Sequence, residues 1–253
     1  MNTNEAIYEY CLRLGDTSLI LAHRLSELCG HGPILEEDIA MQNIALDLVG
    51  QSRIILSYAA QIEGKGKTED DLAYLRDAFS YRNLLMAEQP NTDFAHTMVR
   101  QFFMSAYQYF LYTQLHNSAD ETIKGFAQKS LKETIYHLRH STDWILRLGD
   151  GTDESNMRTQ AAVDELQQFI DDLFDADEVD AILLQQKIGA DMEQIKKAWH
   201  EKVTEVFALA KIKWEPANGG TRKGSRRGIH TEYLGYILAE MQWLQRVYPG
   251  NQW

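Results

Sequence analysis

The chain has 253 residues, 44% hydrophobic and 25% charged, the balance of an ordinary soluble globular protein. That length suffices to bury roughly 70–75% of the extended-chain surface in one large core. A net charge of −12 argues against duplex binding, which needs a broad basic face, and no apolar run approaches the ~18 residues of a membrane span. The N-terminus lacks the basic-then-apolar layout of a signal peptide. Cys11 and Cys29 would stand ~27 Å apart on one helix, too far to bond, which suits a reducing cytoplasm.

A first helix is expected from about Glu5 to Cys29, ended by Gly30-His-Gly-Pro33. Pro33 favours a fresh start, and a second helix runs to about Ile62. There Met41, Ile44, Ala45, Leu48, Ile55, Ala59 and Ile62 repeat at helical spacing, while Leu46, Val49 and Leu56 form another row. Two apolar rows predict burial on two sides, as in a central bundle helix. Gly64-Lys-Gly66 closes it, and a shorter helix covers about Glu69–Phe79.

After Gln89-Pro-Asn91 an aromatic-rich helix spans about Asp93–Asn117, and another about Asp120–Leu148, closed by Gly149-Asp-Gly151. Helices are expected over Glu154–Phe174 and Asp191–Ile212, with a short acidic segment between them. Residues 215–228 form an irregular stretch, and a last helix, about His230–Val247, precedes the tail Pro249–Trp253. No strand alternation competes and no linker divides the chain, so one all-α domain over residues 1–253 is predicted.

Long-helix bundles of this size can carry a two-iron carboxylate centre, built from two lone Glu residues and two Glu-x-x-His pairs. No Glu-x-x-His occurs among the eight histidines. Asp93-Phe-Ala-His96 approaches the pattern, but Asp93 follows Pro90-Asn91-Thr92 and reads as a helix N-cap. His137 lies on a stripe with Phe126, Ser130, Thr134, Ser141 and Trp144 that faces the core, with Glu133 in reach at i−4. This reads as a buried histidine with a hydrogen-bonding partner, or as the remnant of a ligand pair. The row Asn43, Asp47, Gln51 reads as a hydrogen-bond ladder in the bundle, or as the lining of a cavity.

The cluster Arg222-Lys-Gly-Ser-Arg-Arg227 is a basic loop. Gly219 and Gly224 have the separation of a Walker loop, but Ser225 stands where Lys is required. A solvated loop is the default reading, with a phosphate clamp or a dock for an acidic partner as the functional one. Nucleophilic catalysis finds no support, because no Gly-x-Ser-x-Gly occurs and neither cysteine has an evident activating neighbour.

The segment Gly228-Ile-His-Thr-Glu-Tyr-Leu-Gly235, continuing through Leu238-Ala-Glu-Met-Gln-Trp-Leu-Gln-Arg246 to Pro249-Gly250, resembles a family signature. The family is the structural subunit (PaaC type) of the multicomponent phenylacetyl-CoA oxygenase, the ring 1,2-epoxidase of phenylacetate degradation. Leu46-Asp-Leu-Val-Gly-Gln-Ser-Arg53, Lys132-Glu-Thr-Ile-Tyr-His-Leu-Arg139 and Leu173-Phe-Asp-Ala-Asp-Glu-Val-Asp180 resemble it too, so the likeness spans nearly the whole chain. It implies a ferritin-like long-helix bundle with additional C-terminal helices. It also implies a homologous catalytic subunit that holds two irons and is fed by a flavin and iron–sulfur reductase.

Laying that subunit's ligand pattern on this chain puts Leu19 and Val49 at two carboxylate positions and Ser52 at a histidine position. Ser105 and Thr134 fall at the other carboxylate positions, and His137 alone is kept. Aliphatic carbons, hydroxyls and one imidazole cannot neutralise two irons. The resemblance therefore implies no catalytic residue, no metal and no cofactor in this chain, a core repacked without metal, and a supporting role in the monooxygenase complex. Arg222, Lys223, Arg226 and Arg227 are assigned to partner docking or to the phosphates of coenzyme A. A homodimer of the isolated chain is a further expectation. The competing reading is a self-sufficient two-iron oxidoreductase using Glu133, His137, Asp47 and His140.

Overall fold

A computed structural model describes residues 1–215 and 221–251. Four long helices make the bundle: α1 (Thr3–Ser26), α2 (Leu35–Glu63), α4 (Phe94–Leu115) and α5 (Glu121–Gly149). Each starts where local chemistry satisfies orphan backbone donors or tolerates their exposure. Asn2 and Glu5 form a capping box on α1, and Asp120 accepts from two amides at the start of α5. Pro33 stands just ahead of α2, whose N-cap Ile34 offers no side-chain bond. Gly64 ends that helix in the left-handed conformation, which it adopts at φ 67° without a Cβ clash.

Helices α1 and α2 form one hairpin and α4 and α5 a second, with α2 laid against α5. α1 and α4 are buried on nearly every side, and one contiguous apolar core takes in side chains from Ala6 to Met241. At Gly15 a Cβ would come 2.6 Å from the Leu56 Cδ2 atom, so the glycine is what lets Leu56 seat against α1.

The smaller helices pack on this frame. These are α3 (Glu69–Tyr74), α6 (Asp153–Leu166), α7 (Ile170–Leu173), α8 (Glu178–Gln185), α9 (Met192–Leu209) and α10 (Glu232–Val247). Helix α9 lies on α4 and α5, where Trp199 packs on Phe103 at 5.3 Å and donates its indole N–H to the Phe103 carbonyl at 3.0 Å. Helix α10 is tied down by Gln242, whose amide donates to the Ala73 and Arg76 carbonyls. Among the described residues there is no strand, so the all-α expectation holds and the layout is that of a ferritin-like bundle.

Three local expectations need correction. The helix expected over Glu154–Phe174 is broken into α6, a 3-10 turn over Gln167–Phe169, and α7. The short acidic segment between two expected helices, to which no helix is assigned above, is itself helical over Glu178–Gln185, where Asp177 and Asp180 form a capping box. The helix expected from Glu69 to Phe79 stops at Tyr74. Within the irregular stretch at 215–228, residues 216–220, including Gly219, lie outside the described residues, as do residues 252–253 of the tail.

The second apolar row on α2 is also not what two-sided burial predicts. Leu56 is 1% exposed, but Leu46 is 68% and Val49 42% exposed. With Leu48, Ser52 and Ile55 turned inward, the ~100° step per residue carries Val49 onto the flank and Leu46 onto the outside.

A candidate site at the seam of two bundle helices

Helices α2 and α5 meet through polar side chains. His137 Nε2 lies 3.0 Å from Asp47 Oδ2. One turn along, Gln51 donates to Glu133 Oε2 at 3.0 Å and accepts from the Tyr112 hydroxyl at 3.3 Å. Toward one end Glu37 Oε2 accepts from both His140 Nε2 and Trp144 Nε1, each at 2.8 Å. Toward the other the Tyr58 hydroxyl donates to Asp120 Oδ2 at 2.6 Å. Partners descend on α5 as they ascend on α2, which is the register of an antiparallel pair. Asp47 and Gln51 are thus the ladder the sequence suggested, while Asn43 is exposed and takes no part in these bonds. The expected Glu133–His137 pairing along α5 gives way to partners across the seam.

His137 is fully buried, and burial pushes its pKa below the ordinary imidazole value, with Asp47 pulling the other way. The neutral ring then carries its proton on Nε2, where a carboxylate accepts it. Its Nδ1 has no hydrogen-bond partner among the described residues, and neither do the nearby hydroxyls of Ser130 and Thr134. On α4, Gln101 donates to Ser105 Oγ at 3.0 Å.

Of the positions carried over from a two-iron pattern, Leu19, Ser52, Ser105, Thr134 and His137 are all buried on the inner faces of their helices. Val49 is not: it stands on the flank of α2, and Leu48 and Ser52 take the inward positions. The inward set offers an aliphatic chain, three hydroxyls and one imidazole, and this chemistry does not fit a pair of irons. The alternative set is also divided, with Asp47 on His137, Glu133 on Gln51 and His140 on Glu37. Among the described residues no group of three or more His, Cys, Asp or Glu side chains is disposed to hold a metal ion. Asp93 caps α4 by accepting from the His96 amide at 2.8 Å, as its sequence context indicated.

The basic loop is tied to acidic residues on its own chain. Arg226, expected at a docking surface, is 8% exposed and donates to Asp180 at 2.6 Å. Burial works against its charge, but Asp180 outweighs that and leaves its pKa raised. Arg13 of α1 grips the same Asp180 at 3.0 Å and Asp177 at 2.6 Å. The backbone amides of Gly224, Ser225 and Leu85 all donate to buried Asp172. Arg226 is therefore an anchor between α1, α8 and the loop, whereas Arg222, Lys223 and Arg227 remain exposed. Lys223 and Arg227 share Asp175 at 3.4 and 3.7 Å, and Arg222 lies over the Phe169 ring at 5.9 Å. Arg13, Glu37, Asp172 and Asp180 carried no recognisable signal of these roles in the sequence, beyond the capping-box spacing of Asp177 and Asp180.

The whole chain, residues 1–253, matches the family described as phenylacetic acid catabolic protein. The chain belongs to this family. It is 47% identical over 244 residues, 96% of this chain and 98% of the relative, to a 1,2-phenylacetyl-CoA epoxidase subunit of Escherichia coli (strain K12). The resemblance read from the terminal signature is thereby shown, and with it a part in phenylacetate catabolism. Among the described residues no helix is long and apolar enough to cross a membrane.

Proposed function

We propose that this chain is the non-catalytic structural subunit of a phenylacetyl-CoA 1,2-epoxidase, a monooxygenase complex of aerobic phenylacetate degradation. It supports a homologous two-iron subunit and carries no iron of its own. The observation behind this reading is the inner lining of the bundle: Leu19, Ser52, Ser105 and Thr134 are buried, and His137, buried with them, is already committed to Asp47. Such a lining repacks a core without metal, and it removes the need to bury carboxylates that would be costly unpaired.

The relative is named as one subunit of an epoxidase, which supports partner subunits for this chain. The homologous two-iron subunit is the main one, with the flavin and iron–sulfur reductase as a further partner. The chain's role is to hold the catalytic subunit in its active form in the cytoplasm, where Cys11 and Cys29 stay reduced. The exposed cations Arg222, Lys223 and Arg227 serve docking or the phosphates of coenzyme A, held in place by Arg226.

Co-expression with the candidate catalytic subunit, followed by size analysis and iron counting per polypeptide, tests this reading. A stable complex is expected, with iron in the catalytic subunit and none in this chain. Two irons per chain in the isolated protein would overturn it. Neutralising Arg222, Lys223 and Arg227 together is expected to weaken assembly or substrate affinity. Unchanged assembly, affinity and coupled turnover would remove the loop from the proposal.

A further inference from the structure

Beside the Arg226 clamp, α1 and α4 leave a chamber of about 20 Å³, room for a water-sized occupant and too little for an organic molecule. Its walls include Tyr10 and Arg13 of α1, Gln108 of α4, Arg82 and Arg226, with leucines and Met192 between them. Arg82 keeps 19% of its side chain exposed, whereas the other wall residues are buried. The way in is therefore past Arg82.

The walls carry more hydrogen-bond donors than the chain satisfies. Among the described residues the Tyr10 hydroxyl, Arg13 Nε, Arg226 Nε and both ends of the Gln108 amide are buried without a hydrogen-bond partner. The Ala190 backbone comes near Tyr10 and the Tyr112 hydroxyl near Gln108, but neither contact has hydrogen-bond geometry. Burial, reinforced by the charge of Asp180, raises the Tyr10 pKa well above the ordinary phenol value, so the hydroxyl keeps its proton. The orphan groups thus supply donors from four side chains against one obligate acceptor, Gln108 Oε1. Buried donors left unmet are costly, so a ligand that accepts from them is favoured.

Donor excess and charge identify the occupant. A water molecule accepts two hydrogen bonds at most and brings two hydrogens of its own, which these donors repel. An anion accepts from every side and brings none. Asp177 and Asp180 hold the terminal amino groups of Arg13 and Arg226, and Glu9 holds Arg82, yet no carboxylate lines the chamber. Each ion pair is therefore a dipole with its positive end toward the chamber. We infer that the chamber binds one small monovalent anion of halide size, chloride in the cell. The ion fastens α1 and α4 to the loop that carries Arg226. The site stands independently of the role proposed above.

Crystals of the full-length protein soaked in sodium bromide give the direct test, since bromide replaces chloride and scatters anomalously at its absorption edge. A bromide peak within hydrogen-bond distance of Tyr10, Gln108 and the two guanidinium groups is expected. A chamber that holds water only, with no anomalous signal, overturns the site.

In solution, thermal unfolding is compared in sodium chloride and in sodium gluconate of equal ionic strength, because gluconate is too large for the chamber. Tyr10→Phe and Gln108→Leu each lose a donor and keep the general effect of salt, and circular dichroism confirms that they fold. Chloride is expected to raise the wild-type midpoint by at least ~2 °C more than it raises theirs. A salt difference equal in wild type and in both variants overturns the proposal as well.

Discussion

His137 Nε2 and Asp47 Oδ2, 3.0 Å apart across the α2–α5 seam, form the pair in which a buried imidazole is met by a half-exposed carboxylate. The carboxylate keeps contact with water, so the ring's N–H is satisfied without sinking a full charge into the core. Replacing Asp47 by alanine would strand that N–H. Asp47→Ala is expected to lower stability by about 1–3 kcal/mol, and Asp47→Asn, which keeps an acceptor, by less. Urea denaturation measures both, and equal losses would show that the hydrogen bond is not what Asp47 contributes.

His96 sets a pH dependence. It is 2% exposed, and burial, with Arg100 adding to it, pushes its pKa down to about 4. The unfolded chain takes up this proton near pH 6.5 and the folded chain does not, so stability is full above ~6.5 and falls as pH drops toward ~4. The loss is on the order of 3 kcal/mol for this group. His137 shifts in the same direction and adds to it. Comparing wild type with His96→Gln between pH 7 and 4.5 isolates the contribution, and parallel curves would refute it.

The clamp around Asp180 separates Arg226 from its neighbours in the basic loop. Arg226→Met leaves the buried Asp180 carboxylate with Arg13 as its remaining cation, beside the Asp177 amide, and is expected to cost about 3 kcal/mol. Arg222→Gln, at an exposed position, is expected within ~0.5 kcal/mol of wild type. Chemical unfolding of the two variants decides the matter, and an equal effect would mean that Arg226 is not the anchor.

Two glycines on α5 are expected to respond oppositely to alanine. A Cβ at Gly149 would collide with the Ala210 backbone carbonyl where α5 meets the end of α9, so Gly149→Ala is expected to cost ~2 kcal/mol or more. At Gly125 a Cβ meets nothing within 4 Å among the described residues, and Gly125→Ala is expected to stabilise by up to ~1 kcal/mol. Thermal unfolding reads both signs.

The long helices were legible because their signals are local: Asp93 as a cap, Gly64 as a stop, and apolar spacing between them, while the capping box of Asn2 with Glu5 starts α1 two residues ahead of the expected Glu5. Helix α8 is hidden in the sequence because its capping aspartates read as part of an acidic run. The seam was half legible. Asp47 and Gln51 fall on one helical row, but their partners lie more than eighty residues away in the chain, and Glu37 gave no sign of its role.

By itself, the order of residues determined the helical class, the family signature and the want of Glu-x-x-His pairs, since each depends on neighbours within a few turns. Only the three-dimensional packing decided that Val49 leaves the interior, that Arg226 is buried and that α2 keeps a bare apolar flank. Burial depends on what distant segments bring to a surface. Helical periodicity specifies which side chains share a face, and it carries no information about whether that face is covered.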